Sequence, residues 1–220
     1  MRLAPPGLLL GLLLGLLPVL PAAAEHGGSP IEDRLQLFVL PHSIVAIESR
    51  SGGQREEALE LGERVLLRRI DGGVAVALTD RRILAVATGS ASFQQARFGR
   101  GEALVGEPTL GDRVALFVTN QRVVGFDGGS GNLVEARLGP RERVLGLAVA
   151  NSVAIAATGR RALGLSPFRG GFYEVSLRLD EGEGALEANG EIATIATRER
   201  LLTFRASSGS WEERRLGLGH

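Results

Sequence analysis

GDRVALFVTNQRVVGFDGGSGNLVEARLGPRE, residues 111–142, decides how the rest of the chain is read. Val114 to Val118 is an apolar run of strand type, Thr119-Asn120-Gln121-Arg122 interrupts it, and Val123 to Phe126 resumes it. Two apolar runs joined by a short polar step containing Asn predict a hairpin, because Asn tolerates the positive φ of tight turns. Asp127 to Asn132 is a looser, glycine-containing turn, and Leu133 to Leu138 alternates apolar and polar residues like a strand with one face in water. The first strand hardly alternates, so it is expected to be covered on both faces.

The same pattern is written five times. The hairpin corner falls at Leu40, Thr79, Thr119, Thr158 and Thr197, at intervals of 39, 40, 39 and 39 residues. After it come SIVAI, RILAV, RVVGF, RALGL and RLLTF, led by Ser43, Arg82, Arg122, Arg161 and Arg200. A large residue opens the third strand at Phe93, Leu133, Phe172 and Trp211. Between units lies a fourth segment, Arg64–Ile70, Ala103–Leu110, Arg143–Ala150 and Gly184–Ala188, introduced by Glu63, Glu102, Glu142 and Glu183. No stretch carries a helical period of useful length. A period of about 40 residues with several antiparallel strands per unit predicts an all-β, five-bladed β-propeller of mostly four-stranded repeats.

Blade grammar of this kind, carried best by FVTNQRVVGFDGGSGNLVEARL (Phe117–Leu138), resembles the bacterial PQQ-like and YVTN-type propeller repeats over nearly all of the mature chain. The resemblance implies the fold but not the activity, since propellers sharing it do unrelated things. The closing tryptophan typical of PQQ-type blades stands only at Trp211. No quinone, and no other cofactor, is therefore expected.

Residues 1–24 read as a secretory signal peptide: Arg2 supplies the positive start, Gly7 to Leu20 the apolar core, and Ala22-Ala23-Ala24 an A-x-A cleavage site. The apolar stretch is shorter than a spanning helix needs, so no membrane attachment is expected after cleavage. Residues 25–33 form a polar lead-in, and a single propeller domain runs over 34–220. A periplasmic or secreted location follows. No cysteine is present, so packing alone must hold the fold. Basic and acidic residues number 25 each, every cation is arginine, and aromatics are 5% of the chain. Such a neutral, aromatic-poor chain has no footprint for nucleic acid.

The repeat count leaves the first unit one strand short. Residues 25–33 fill that slot in irregular form, the preferred reading, or the edge stays open and accepts a strand from a partner.

Chemistry is harder to find. The three histidines, His26, His42 and His220, are peripheral and carry no metal-ligand spacing, and no catalytic constellation is expected. The recurring arginine and glutamate are expected to pair with each other once per blade, and the recurring threonine to satisfy a turn amide. The candidate binding residues are Arg68, Arg69, Glu107 and Glu187 on the innermost strands, with Phe172, Tyr173 and Trp211 as aromatic anchors. The expected function is a non-enzymatic scaffold for protein–protein interaction in the cell envelope. The alternatives are a small-ligand or carbohydrate-binding module and a glycoside hydrolase using Glu107 and Glu187 as channel carboxylates.

Overall fold

A computed structural model describes residues 33–178 and 181–217. The leader (1–24), nearly all of the lead-in (25–33) and His220 lie outside the described residues. Five antiparallel sheets follow one another along the chain, as blades of a β-propeller. Blade 1 has three strands: β1 (Leu35–Val39), β2 (Ser43–Glu48) and β3 (Gln54–Ala58). Blade 2 comprises β4 (Val65–Asp71), β5 (Val74–Thr79), β6 (Arg82–Ala87) and β7 (Gln94–Arg97). Blade 3 comprises β8 (Thr109–Leu110), β9 (Val114–Val118), β10 (Arg122–Asp127) and β11 (Asn132–Arg137). Blade 4 comprises β12 (Val144–Ala150), β13 (Val153–Thr158), β14 (Arg161–Leu165) and β15 (Phe172–Ser176). Blade 5 comprises β16 (Ala185–Asn189), β17 (Ile192–Ala196), β18 (Arg200–Arg205) and β19 (Ser210–Arg215).

One innermost strand is shorter than its sequence predicts. Ala103–Leu110 contributes only Thr109–Leu110 and an isolated bridge from Leu104 to Thr119. Gly106 between them takes a φ of 82°, and Pro108 offers no backbone donor, so the ladder breaks there.

The middle strands fill the core. Every residue of β9 and β13 is buried, which is why these strands carry unbroken apolar runs instead of alternation. Each sheet presents two faces. Val74, Val76, Ile83 and Ala85 look forward onto Ala115, Phe117, Val124 and Phe126 of blade 3. Backward, Ala75, Ala77, Leu84 and Val86 meet Leu35, Leu37, Ile44 and Ala46 of blade 1. Equivalent clusters join blades 3 and 4 and blades 4 and 5. A backbone hydrogen bond ties the hairpin turns of each successive pair: Arg34 N to Gly72 O (2.7 Å), Gly73 N to Asp112 O (3.1 Å), Arg113 N to Asn151 O (2.8 Å) and Ser152 N to Gly190 O (3.1 Å).

Four clusters therefore serve five blades, and among the described residues no fifth cluster joins blade 5 to blade 1. The outward face of blade 5 carries Ile192, Thr194, Ala196, Leu201, Thr203 and Arg205, as the pairing register of β17 and β18 dictates. Thr194 and Thr203 stand where the four preceding blades have Leu37, Val76, Leu116 and Ile155, and Ala46, Ala85, Gly125 and Gly164. Arg205 pairs on that face with Glu212. A polar outer face on the last unit is how a repeat array is capped. Blade 1 differs: its trailing face keeps Phe38, Val45 and Ile47, with Phe38 43% exposed.

Candidate functional site

A charged motif recurs at each filled interface and accounts for the repeated arginine, glutamate and threonine. In blade 2, Arg82 donates from Nε to Glu63 (2.8 Å) and from Nη2 to the Ala58 carbonyl at the end of blade 1 (2.6 Å). The Thr79 hydroxyl donates to Glu63 (2.7 Å) and accepts the Arg82 amide (2.9 Å). Arg122 repeats this with Glu102 and Arg97 O, Arg161 with Glu142 and Arg137 O, and Arg200 with Glu181 and Ser176 O. Each glutamate also accepts an amide of its own loop, from Glu60, Gly99, Gly139 and Arg178 respectively. Every arginine thus hooks its blade onto the last carbonyls of the blade before. The repeat positions this motif correctly, with one correction: in blade 5 the partner is Glu181, not Glu183. A single 3-10 turn over Glu181–Glu183 brings the earlier carboxylate inward and leaves Glu183 exposed.

These carboxylates are electrostatically committed. Burial pushes Glu63, Glu102 and Glu142 up, but their arginine and amide hydrogen bonds outweigh it and hold each below the usual carboxylate range. The Arg200 hydrogen bond does the same for Glu181. At the rim, Arg97 and then Arg81 hold Glu60 down to about 2. Asp71 moves the other way: burial, with the charges of Asp33 and Asp112 nearby, raises it.

The first blade breaks the motif. Ser43 replaces the arginine and Leu40 the threonine. A hook at Ser43 would reach for the end of β19, so its absence coincides with the interface that lacks a core cluster. What blade 1 shows instead, among the described residues, is a sheet with no strand beyond β1. In blade 2, Val74, Val76 and Leu78 of β5 face Asp71, Arg69 and Leu67 of β4. Among the described residues, the equivalent Leu35, Leu37 and Val39 of β1 pair with β2 on one side only. Beside that edge lies a cavity of about 580 Å³ lined by Asp33, Leu35, Gln36, Leu37, Phe38, Arg68, Arg69 and Ile70. Arg68 reaches across from β4 to donate from Nη1 to the Leu37 carbonyl (2.8 Å). A guanidinium there satisfies one acceptor that a fourth strand would otherwise take. Phe38, Val39 and Leu40, each more than 40% exposed, extend the surface as an apolar rim.

The sequence-derived candidates fall into three places. Arg68 and Arg69 line the cavity beside β1. Arg69 also forms an ion pair with Glu107, and the two bound a second cavity with Asp71, Pro108 and Thr109. Glu187 is exposed on β16, outside both cavities. Phe172, Tyr173 and Trp211 pack between blades: Phe172 closes on Gly125 of blade 3, and Trp211 lies tilted against Phe204, 5.1 Å between ring centres, and donates to the Tyr173 carbonyl (2.9 Å). Phe38, Val39 and Leu40 were not singled out by sequence reasoning. Their signal was present, as three apolar residues running into a hairpin corner where other copies carry threonine. Among the described residues, no group of three or more His, Cys, Asp or Glu side chains gathers as metal ligands would.

No protein-family model and no curated protein matches the chain. Solved structures do. Human WBSCR16 aligns at 15% identity over 74% of this chain and 56% of its own, with a TM-score of 0.40. Yeast RCC1 (Prp20), solved with Kap60, aligns at 10% identity over 74% and 52%, with a TM-score of 0.36. A HIRA fragment aligns at 13% identity over 84% and 54%, with a TM-score of 0.38. The chain spans about half the length of each of these proteins.

Proposed function

We propose that the chain is an exported, non-enzymatic propeller that holds a protein partner in the cell envelope, in the periplasm or outside the cell. The observation that carries this reading is the edge of β1, unpaired among the described residues, with Phe38, Val39 and Leu40 exposed beside it. A run of apolar residues on an open sheet edge is a liability unless something covers it. The charged groups that could have served chemistry are occupied: the recurring arginines and glutamates staple the blades, and Glu107 is neutralised by Arg69. That arrangement disfavours a hydrolase built on Glu107 and Glu187, since Glu187 lies outside the cavity that Glu107 lines. Export is supported by the apolar leader of residues 7–20 and its A-x-A site.

The test is recovery from envelope extract. A C-terminally tagged chain, crosslinked through carboxylates because the chain has no lysine, should retain a protein partner at physiological salt. Recovery of the chain alone would count against the reading, as would turnover of a polysaccharide lost in Glu107→Gln.

A further inference from the structure

We infer that the cavity beside β1 is a strand-binding slot, and that its occupant is an extended, acidic and apolar segment of a partner protein that adds as the fourth strand of blade 1. The inference deepens the scaffold reading and rests on it. Blades 2, 3, 4 and 5 each have an innermost strand, so the repeat itself specifies the geometry of the missing one. Opposite Leu35, Leu37 and Val39, an added strand would exchange main-chain hydrogen bonds as β4 does with Val74, Val76 and Leu78. Strand addition of this kind takes affinity from the backbone and specificity from alternate side chains.

The walls of the slot name the side chains. Phe38 and the half-buried Ile70 offer apolar contact, while Leu35 and Leu37, whose side chains are buried in the core, border the slot. Arg68 lines the same space beside Asp33, the one acid there, while Arg69 is held by Glu107. An entering strand would displace Arg68 from the Leu37 carbonyl and leave its guanidinium without a partner. An acidic side chain at that point restores the lost hydrogen bond in charge-assisted form. The chain's own candidate is a poor match. Counting back one repeat from Val65–Asp71 gives His26 to Glu32, whose sequence HGGSPIE holds two glycines and a proline where VLLRRID holds neither. A second copy docking by the interior blade-to-blade contact is also disfavoured, because blade 5 offers it Thr194, Thr203 and the Arg205–Glu212 pair.

The experiment uses the full chain and a fluorescent peptide carrying Val-Leu-Leu-Glu-Glu-Ile-Asp, the β4 sequence with both arginines replaced by glutamate. Binding is expected by anisotropy, with amide exchange at Leu35, Leu37 and Val39 slowed at least tenfold. The same peptide with lysine for glutamate should bind at least tenfold more weakly to the wild type, and Arg68→Glu should reverse that preference. Val39→Pro, which removes one edge donor, should weaken the glutamate peptide. Absence of binding, or protection elsewhere, overturns the proposal. So does strong protection of the three amides in the free chain, which would mean that its own preceding segment fills the slot, and so does protection that rises with chain concentration, which would mean a second copy. If envelope capture succeeds and Val39→Pro and Arg68→Glu leave it unchanged, the scaffold reading survives and the slot does not.

Discussion

Gly164 lies flat against the ring of Phe204: a Cβ at Gly164 would sit 2.6 Å from the ring carbons of the next blade. The pairing is a small residue of one blade beneath a large residue of its successor. Ala85 and Phe126 share a cluster in the same relation, and Gly125 meets Leu165. Gly164→Ala should therefore destabilise the fold by about 1–3 kcal/mol through overpacking of a filled interface. Phe204→Leu should recover part of that loss in the double variant, although it costs stability alone. Denaturant midpoints of the four proteins give the coupling, and strict additivity would contradict the packing account.

The arginine hooks should matter far more than the ion pairs at the rim. Arg82 and Glu63 are almost fully buried, with side-chain exposures of 3% and 0%. Arg82→Ala leaves Glu63 without its ionic partner and should cost about 3–5 kcal/mol. Removing Arg69 breaks an exposed pair with Glu107 and should cost about 0–1 kcal/mol. Equal midpoint shifts for Arg82→Ala and Arg69→Ala would contradict the hook.

Acid should unfold the protein through the same carboxylates. Glu63, Glu102, Glu142 and Glu181 have folded pKa values below their ordinary ones. A depressed folded pKa contributes stability that is fully present above the unfolded value and is lost as pH falls through the folded one. Stability should thus hold down to about pH 4.5 and fall steeply below it. Circular dichroism against pH, at fixed denaturant, reads the transition. Asp71 carries the opposite sign. Its raised pKa means that ionisation opposes folding, so Asp71→Asn should raise the denaturant midpoint at neutral pH and leave it unchanged in acid.

Blade 5 should behave as a cap. Replacing Thr194 with Leu, Thr203 with Ala and Arg205 with Ala gives blade 5 an apolar outer face like that of blade 2, which carries Val76, Ala85 and Ala87 there. That face would then match the Phe38, Val45 and Ile47 surface of a second chain. The triple variant should associate head to tail in a concentration-dependent way, measured by sedimentation velocity. A sedimentation coefficient equal to that of the wild type at all concentrations would show that the threonines do not limit growth of the array.

The repeat was legible because a β-hairpin with buried faces leaves a local and periodic trace. Corner threonine, hook arginine and loop glutamate lie within about 20 residues of one another, and their pairing followed from spacing alone. Glu181 was misread as Glu183 because a 3-10 turn, not a count along the chain, decides which carboxylate points inward. The innermost strand of blade 3 was overextended because Gly106 and Pro108 act on backbone angles that apolar content does not report. The slot beside β1 was visible only as a missing strand. Its chemistry comes from Arg68 and Arg69 of the following blade, which lie 31 to 33 residues from Leu37 and Gln36 in sequence, and no local pattern announces that meeting.

The hooks all point one way. Arg82, Arg122, Arg161 and Arg200 each grasp carbonyls made earlier in the chain, so none of these four hooks waits for a later blade. A polypeptide leaving the ribosome or a translocation channel can therefore mount its sheets in order of synthesis, each new one clipping onto a finished neighbour. Ser43, at the equivalent place in blade 1, carries no guanidinium and makes no such clip.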